Sequence, residues 1–165
     1  MSNGKRLLEL VLPGALTGFA AGVVAGGLAA VVGQPAGWAL ATMLTLGIPL
    51  AVFGGGYSWL LATGRVRLGG FAPAALYWLV AFPVARLLHE AMVHLVLGGG
   101  FTLPDDILGF LAYQGIVSAG FAIGFLWLHE RLAPRWWTRV GPNNPEAAAA
   151  VDRYLAHART IRRRA

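Results

Sequence analysis

The chain has 165 residues, of which 57% are hydrophobic and only 12% charged, and its mean hydropathy is +0.63. Soluble domains carry about 25% charged residues, and disordered chains lack this much apolar material, so the composition is that of an integral membrane protein. Cysteine is absent, which excludes a disulfide scaffold, thiolate metal sites and thiol chemistry. The net charge of +6 would suggest nucleic acid in a soluble protein, but the cations lie almost wholly in loops and tails. Topology accounts for them, and no nucleic-acid partner is expected.

A helix needs about 20 apolar residues to cross a bilayer. The first span is predicted over 7–32. Its apolar run is too long for a signal-peptide core, so it reads as a retained helix. It carries Gly14, Gly18, Gly22 and Gly26, each four apart, beside Ala21, Ala25 and Ala29. Residues at i and i+4 share a helix face, and rows of small residues let backbones approach closely in lipid. The ladder is therefore expected to form a packing seam, within the chain or with a second copy or partner. Pro13 is placed in the first helical turn, where a missing N–H costs little.

The second span is predicted over 38–62, with Thr42 and Thr45 in its first half. Gly54, Gly55 and Gly56 lie inside it and lack the Lys and Ser/Thr of a phosphate loop. They suit a close crossing or a local break. The third span is predicted over 71–97 and holds Arg86, His89, Glu90 and His94. Arg86 lies about 22 Å from the start of that helix at 1.5 Å per residue. An ionic group at such depth needs a partner, and Glu90 at i+4 is placed to pair with it. His89-Glu90 and His94 resemble the HExxH zinc motif only superficially, since five residues between histidines put them on different helix faces. No metal and no haem are expected.

The fourth span is predicted over 107–128, with Gln114 and Ser118 at the depth of the third span's polar residues, then Gly120 and Gly124 as a shorter glycine pair. Arg86, His89, Glu90, His94, Gln114 and Thr45 together make the site candidate, a polar layer in one half of the bundle. It is expected to be a structural network or to bind a lipid, quinone or small ligand. His129-Glu130-Arg131 reads as an ordinary interfacial ending, and Trp136 and Trp137 as a stretch along the membrane surface. After the break at 141–145, a helix is predicted over about 145–163, with Asn144 as N-cap and Pro145 at N1. Val151, Tyr154, Leu155, Ala158 and Ile161 form its apolar stripe, and Arg153, Arg159, Arg162 and Arg163 suit anionic lipid.

The expected fold is thus an all-α, up-down four-helix transmembrane bundle over 1–133, followed by an amphipathic segment over 134–165 on the cytoplasmic side. Twelve of the thirteen basic residues fall at one end of the bundle, so both termini are expected to be cytoplasmic. The Ala-, Gly-, Leu- and Arg-rich composition suits a bacterial inner-membrane protein. Four short-looped spans leave little room for a catalytic domain. The expected function is a small non-catalytic subunit that assembles with itself or a larger membrane complex through its glycine face. The alternative is a small transporter or channel using the layer around Arg86, His89 and Glu90.

Overall fold

The computed structural model describes residues 2–162, the side chains of 161 and 162 excepted. It is all-helical among those residues: α1 (Asn3–Val31), α2 (Ala36–Ala62), α3 (Phe71–Val96), α4 (Ile107–Val140), a 3-10 turn (Gly141–Asn143) and α5 (Pro145–Arg162). The first four are long and apolar enough to cross a membrane, which is consistent with a multi-pass membrane protein. Each packs on the next, and α4 returns to α1, closing an up-down bundle. The α1–α2 and α2–α3 turns reverse the chain at Gly33 (φ +86°) and Gly64 (φ +76°), left-handed positions that a β-carbon would strain. The α4 N-terminus is capped by Asp106, whose Oδ1 accepts from the Gly109 amide at 2.8 Å.

The closest packing in the molecule is between α1 and α2. A β-carbon on Gly14 would strike the Gly54 carbonyl, one on Gly18 the Leu50 carbonyl, and one on Gly22 the backbone of Gly47. A β-carbon on Gly26 would come within 2.6 Å of the Ala39 carbonyl oxygen. The whole ladder therefore lies backbone to backbone against α2, in one antiparallel register. The same contact explains Gly54, which would collide with Gly14 in return. The α2 helix runs unbroken through Gly54, Gly55 and Gly56. Of the alternatives expected for this face, the structure places α2 of the same chain on it. Gly120 and Gly124 differ, since a β-carbon on either would meet nothing within 4 Å.

Beyond the seam, aromatic rings fill the bundle. Trp78 is fully buried, with its ring centroid 4.6 Å from those of both Phe121 and Phe125. Tyr57 packs edge-on against Phe125 at 5.5 Å, and the Tyr77 hydroxyl donates to the Phe53 carbonyl at 2.6 Å. Tyr57 and Trp78 belong to this core because they face inward at the helix crossing.

The largest departure from expectation is at the end of α4. It does not stop near 128 but runs unbroken to Val140, 34 residues or about 51 Å. That exceeds the roughly 30 Å hydrocarbon thickness, so its last turns project past it. Phe121, Phe125, His129, Ala133 and Trp137 recur every fourth residue and form one inward stripe. Trp137 is fully buried rather than on a membrane surface, and its Nε1 donates to the Leu10 carbonyl at 3.3 Å. Trp136, half-buried, donates to the Glu9 carbonyl at 2.8 Å. Pro13 is the reason that acceptor is free: it lies in the interior of α1, not in its first turn, and lacks the N–H that would bond Glu9. The Trp136 indole takes the place of that missing donor and ties α4 to α1.

The chain then turns back. The Asn144 amide donates to the Arg6 carbonyl at 3.0 Å and to Glu9 Oε2 at 3.1 Å, while its Oδ1 accepts from the Ala147 amide that opens α5. Ala147 and Ala150 are buried against the bundle end, with Val151 and Tyr154 packed beside them. Arg153 donates to the Ala62 carbonyl at the end of α2. The stripe expected to enter lipid is thus partly used on the protein; Leu155 stays exposed. Arg159 is exposed too, and Arg163 lies outside the described residues.

Two outcomes test this packing. Gly18→Ala should cost about 1–3 kcal/mol or more in unfolding free energy, the range for overpacking, whereas Gly27→Ala, at an open position, should change little. Equal stability of the two variants would contradict the seam. Asn144→Ala should cost about 1 kcal/mol, a typical cap loss, and raise protease cleavage between 141 and 150 while α1–α4 stay resistant.

Candidate functional site

The predicted polar residues lie on α2, α3 and α4, toward the bundle end away from α5. Arg86 and Glu90 share one face of α3, and Arg86 Nη2 lies 2.8 Å from Glu90 Oε1. Their side chains are 22% and 32% exposed, so the pair is partly sheltered and neutralises itself on its own helix. One turn of register away, buried His89 faces α2, with its Nδ1 2.8 Å from the Thr45 hydroxyl. That hydroxyl donates its single hydrogen to the Ala41 carbonyl at 2.7 Å. It must therefore accept from His89, which places the imidazole proton on Nδ1.

The remaining predicted members are only loosely joined to these. His94 is exposed and sits edge-on to Trp38 at 5.4 Å. Glu90 and His94 line a cavity of about 410 Å³ together with Thr102, Leu103, Pro104 and Phe110 from the α3–α4 connection and α4. Gln114 is buried on α4 but makes no side-chain hydrogen bond to Arg86, His89 or Glu90. Ser118, also buried, donates to the Gly115 carbonyl of its own helix at 2.6 Å. The layer expected across three helices is thus two internal pairs, one within α3 and one between α2 and α3. Among the described residues, no group of three His, Asp or Glu is placed to hold a metal ion.

A second polar cluster, at the end bearing the termini, was not anticipated. His129 is fully buried rather than interfacial, with Nε2 3.0 Å from the Ser58 hydroxyl. Its ring stacks on Phe125 at 5.5 Å and packs against Tyr57 at 5.6 Å and Trp137 at 6.1 Å. His129 Nδ1 is buried without a hydrogen-bond partner, as are Glu130 Oε1 and the Tyr154 hydroxyl. Burial, and then the neighbouring Glu130 charge, pushes the Tyr154 phenol above its ordinary pKa, so it stays protonated and able to donate. Arg153 and His157 of α5 rest against Gly64 and Gly69, so α5 covers this end of the bundle. The signal for the cluster is in the sequence: His129 falls on the fourfold spacing that links Phe125 to Trp137.

The two clusters are separated by the Tyr57–Tyr77–Trp78–Phe121–Phe125 packing. Comparison with family models, with curated proteins and with solved structures finds no match. The chemistry of the site therefore rests on its own geometry.

Breaking the ion pair one side at a time should show whether it is a stabilising unit. Arg86→Leu or Glu90→Leu should each lower stability by about 1–3 kcal/mol, the cost of a stranded polar group. The double Leu variant should recover most of that loss, because an apolar pair can replace an ionic one nearly neutrally. Additive losses in the cycle would contradict the pairing.

Proposed function

We propose that the chain is a small, non-catalytic subunit of a bacterial inner membrane, with both termini on the cytoplasmic side. The orientation rests on charge. Lys5, Arg6, Arg65, Arg67, Arg131, Arg135, Arg139, Arg153 and Arg159 lie at the end that α5 covers, and the sequence adds Arg162, Arg163 and Arg164 after them. The α5 helix then serves as an amphipathic cytoplasmic element. Tyr154 and Val151 face the bundle, and Arg159 meets anionic headgroups.

The observation that carries the non-catalytic, non-conducting reading is where the polar groups go. Arg86 pairs with Glu90, His89 with Thr45, and His129 with Ser58, each inside the chain. Between the two ends stand the packed rings of Trp78, Phe121 and Phe125. Such pairs fix helix register and stabilise a bundle that lacks hydrophobic drive in lipid. With the glycine ladder held by α2, the subunit would meet its partners through its outward surfaces.

The cavity beside Glu90 and His94 favours a second reading, in which that layer takes a lipid, quinone or small polar ligand, or moves an ion or proton as a small transporter. Native mass spectrometry of the protein extracted gently from its own membrane separates the two. The subunit reading expects a co-purifying membrane protein, and expects Glu90→Gln to leave vesicle flux unchanged. A lone chain whose reconstituted flux disappears with Glu90→Gln would overturn it in favour of transport.

A further inference from the structure

The bundle is closed at one end of the α1–α4 contact and open in its middle. Trp136 and Trp137 draw α4 onto the Glu9 and Leu10 carbonyls. From Thr17 onward the helices part, leaving an outward-opening groove of about 300 Å³ between Thr17, Ala21 and Val24 of α1 and Phe121, Gly124 and Leu128 of α4. The only polar side chain in its lining, Thr17, turns its hydroxyl to the Pro13 carbonyl of its own helix at 2.8 Å. The groove is therefore apolar, and a β-carbon on Gly124 would enter open space.

Cations continue the same face of α4. Gly120, Gly124, Leu128, Arg131 and Arg135 recur at three- and four-residue spacing, so they share one stripe. Arg131 and Arg135 are exposed, and Arg131 lies over the Trp127 ring at 3.8 Å from its centroid. That stacking holds a guanidinium at the helix surface about 10 Å along the axis from Gly124, with its edge free for bidentate contact. The single acidic residue of α4, Glu130, is half-buried beside Tyr154 and does not offset these charges.

We propose that this groove binds one acyl chain of an anionic phospholipid, whose phosphate is held by Arg131 and Arg135. The proposal needs the membrane insertion and orientation set out above, but not the existence of a protein partner. A second copy is the weaker occupant. Two α4 helices meeting in parallel across this face would bring Arg131, Arg135 and Arg139 against their counterparts, and like charges disfavour that contact. A phospholipid instead places an apolar chain beside Gly124 and an anion beside the arginines.

The test is native mass spectrometry of the detergent-solubilised chain titrated with dioleoyl phosphatidylglycerol or dioleoyl phosphatidylcholine. The wild type should retain one phosphatidylglycerol at about thirtyfold lower lipid concentration than phosphatidylcholine, as two basic contacts imply. Arg131→Ala with Arg135→Ala should erase that preference. Gly124→Leu should remove the retained lipid of either kind while circular dichroism stays helical, and Gly27→Leu, at another open glycine, should keep it. Equal retention of the two lipids by the wild type would overturn the proposal. So would an adduct that survives Gly124→Leu, or a wild-type dimer that Gly124→Leu splits without loss of lipid.

Discussion

The structure depends on the backbone contact between α1 and α2. In lipid, helices gain nothing by hiding apolar side chains from one another, since the solvent is as apolar as they are. Close approach of backbones is what remains, and it requires residues without side chains at every crossing level. Gly14, Gly18, Gly22 and Gly26 supply this on α1, with Gly47 and Gly54 opposite. Because the four levels are in register, the pair behaves as one unit on which α3 and α4 assemble. Tyr57 and Leu50 of α2 then face inward to the aromatic core, and Thr45 faces His89.

The second organising feature is the clasp at the end bearing the termini. One missing N–H, at Pro13, frees the Glu9 carbonyl, and the Trp136 indole satisfies it. Trp137 and Asn144 add contacts to Leu10 and Arg6 within the same two turns of α1. This brings the end of α4 and the start of α5 over the bundle and seals His129 beneath them. It also fixes where α1 and α4 can separate. The helices are pinned below Thr17 and part above it, so the clasp and the apolar groove are two consequences of one arrangement.

Much of the fold was legible in the sequence because each span exceeds 20 apolar residues and each turn carries glycine. The Arg86–Glu90 pair was legible because i,i+4 spacing puts both groups on one face. Its relation to Gln114 was not, because depth along a helix says nothing of rotation about it. The ladder's spacing announced a close contact but could not name the partner helix; α2 supplies it through Gly47 and through Gly54, the latter legible in sequence only as a crossing or break. The end of α4 was misplaced because hydropathy falls at His129 and Glu130. The fourfold spacing of Phe125, His129, Ala133 and Trp137 continues through that point, and periodicity, not polarity, marks the buried face there.

The central claim is that the glycine seam lies within one chain. The sequence has no cysteine, so a pair can be introduced without background. A β-carbon at position 55 would lie 3.7 Å from the Ala15 β-carbon, a separation suited to a disulfide. Oxidising the Ala15→Cys, Gly55→Cys variant in native membranes should give a cross-linked monomer on a non-reducing gel, with no dimer band. A cross-linked dimer in its place would show that the seam joins two chains, and would contradict the account.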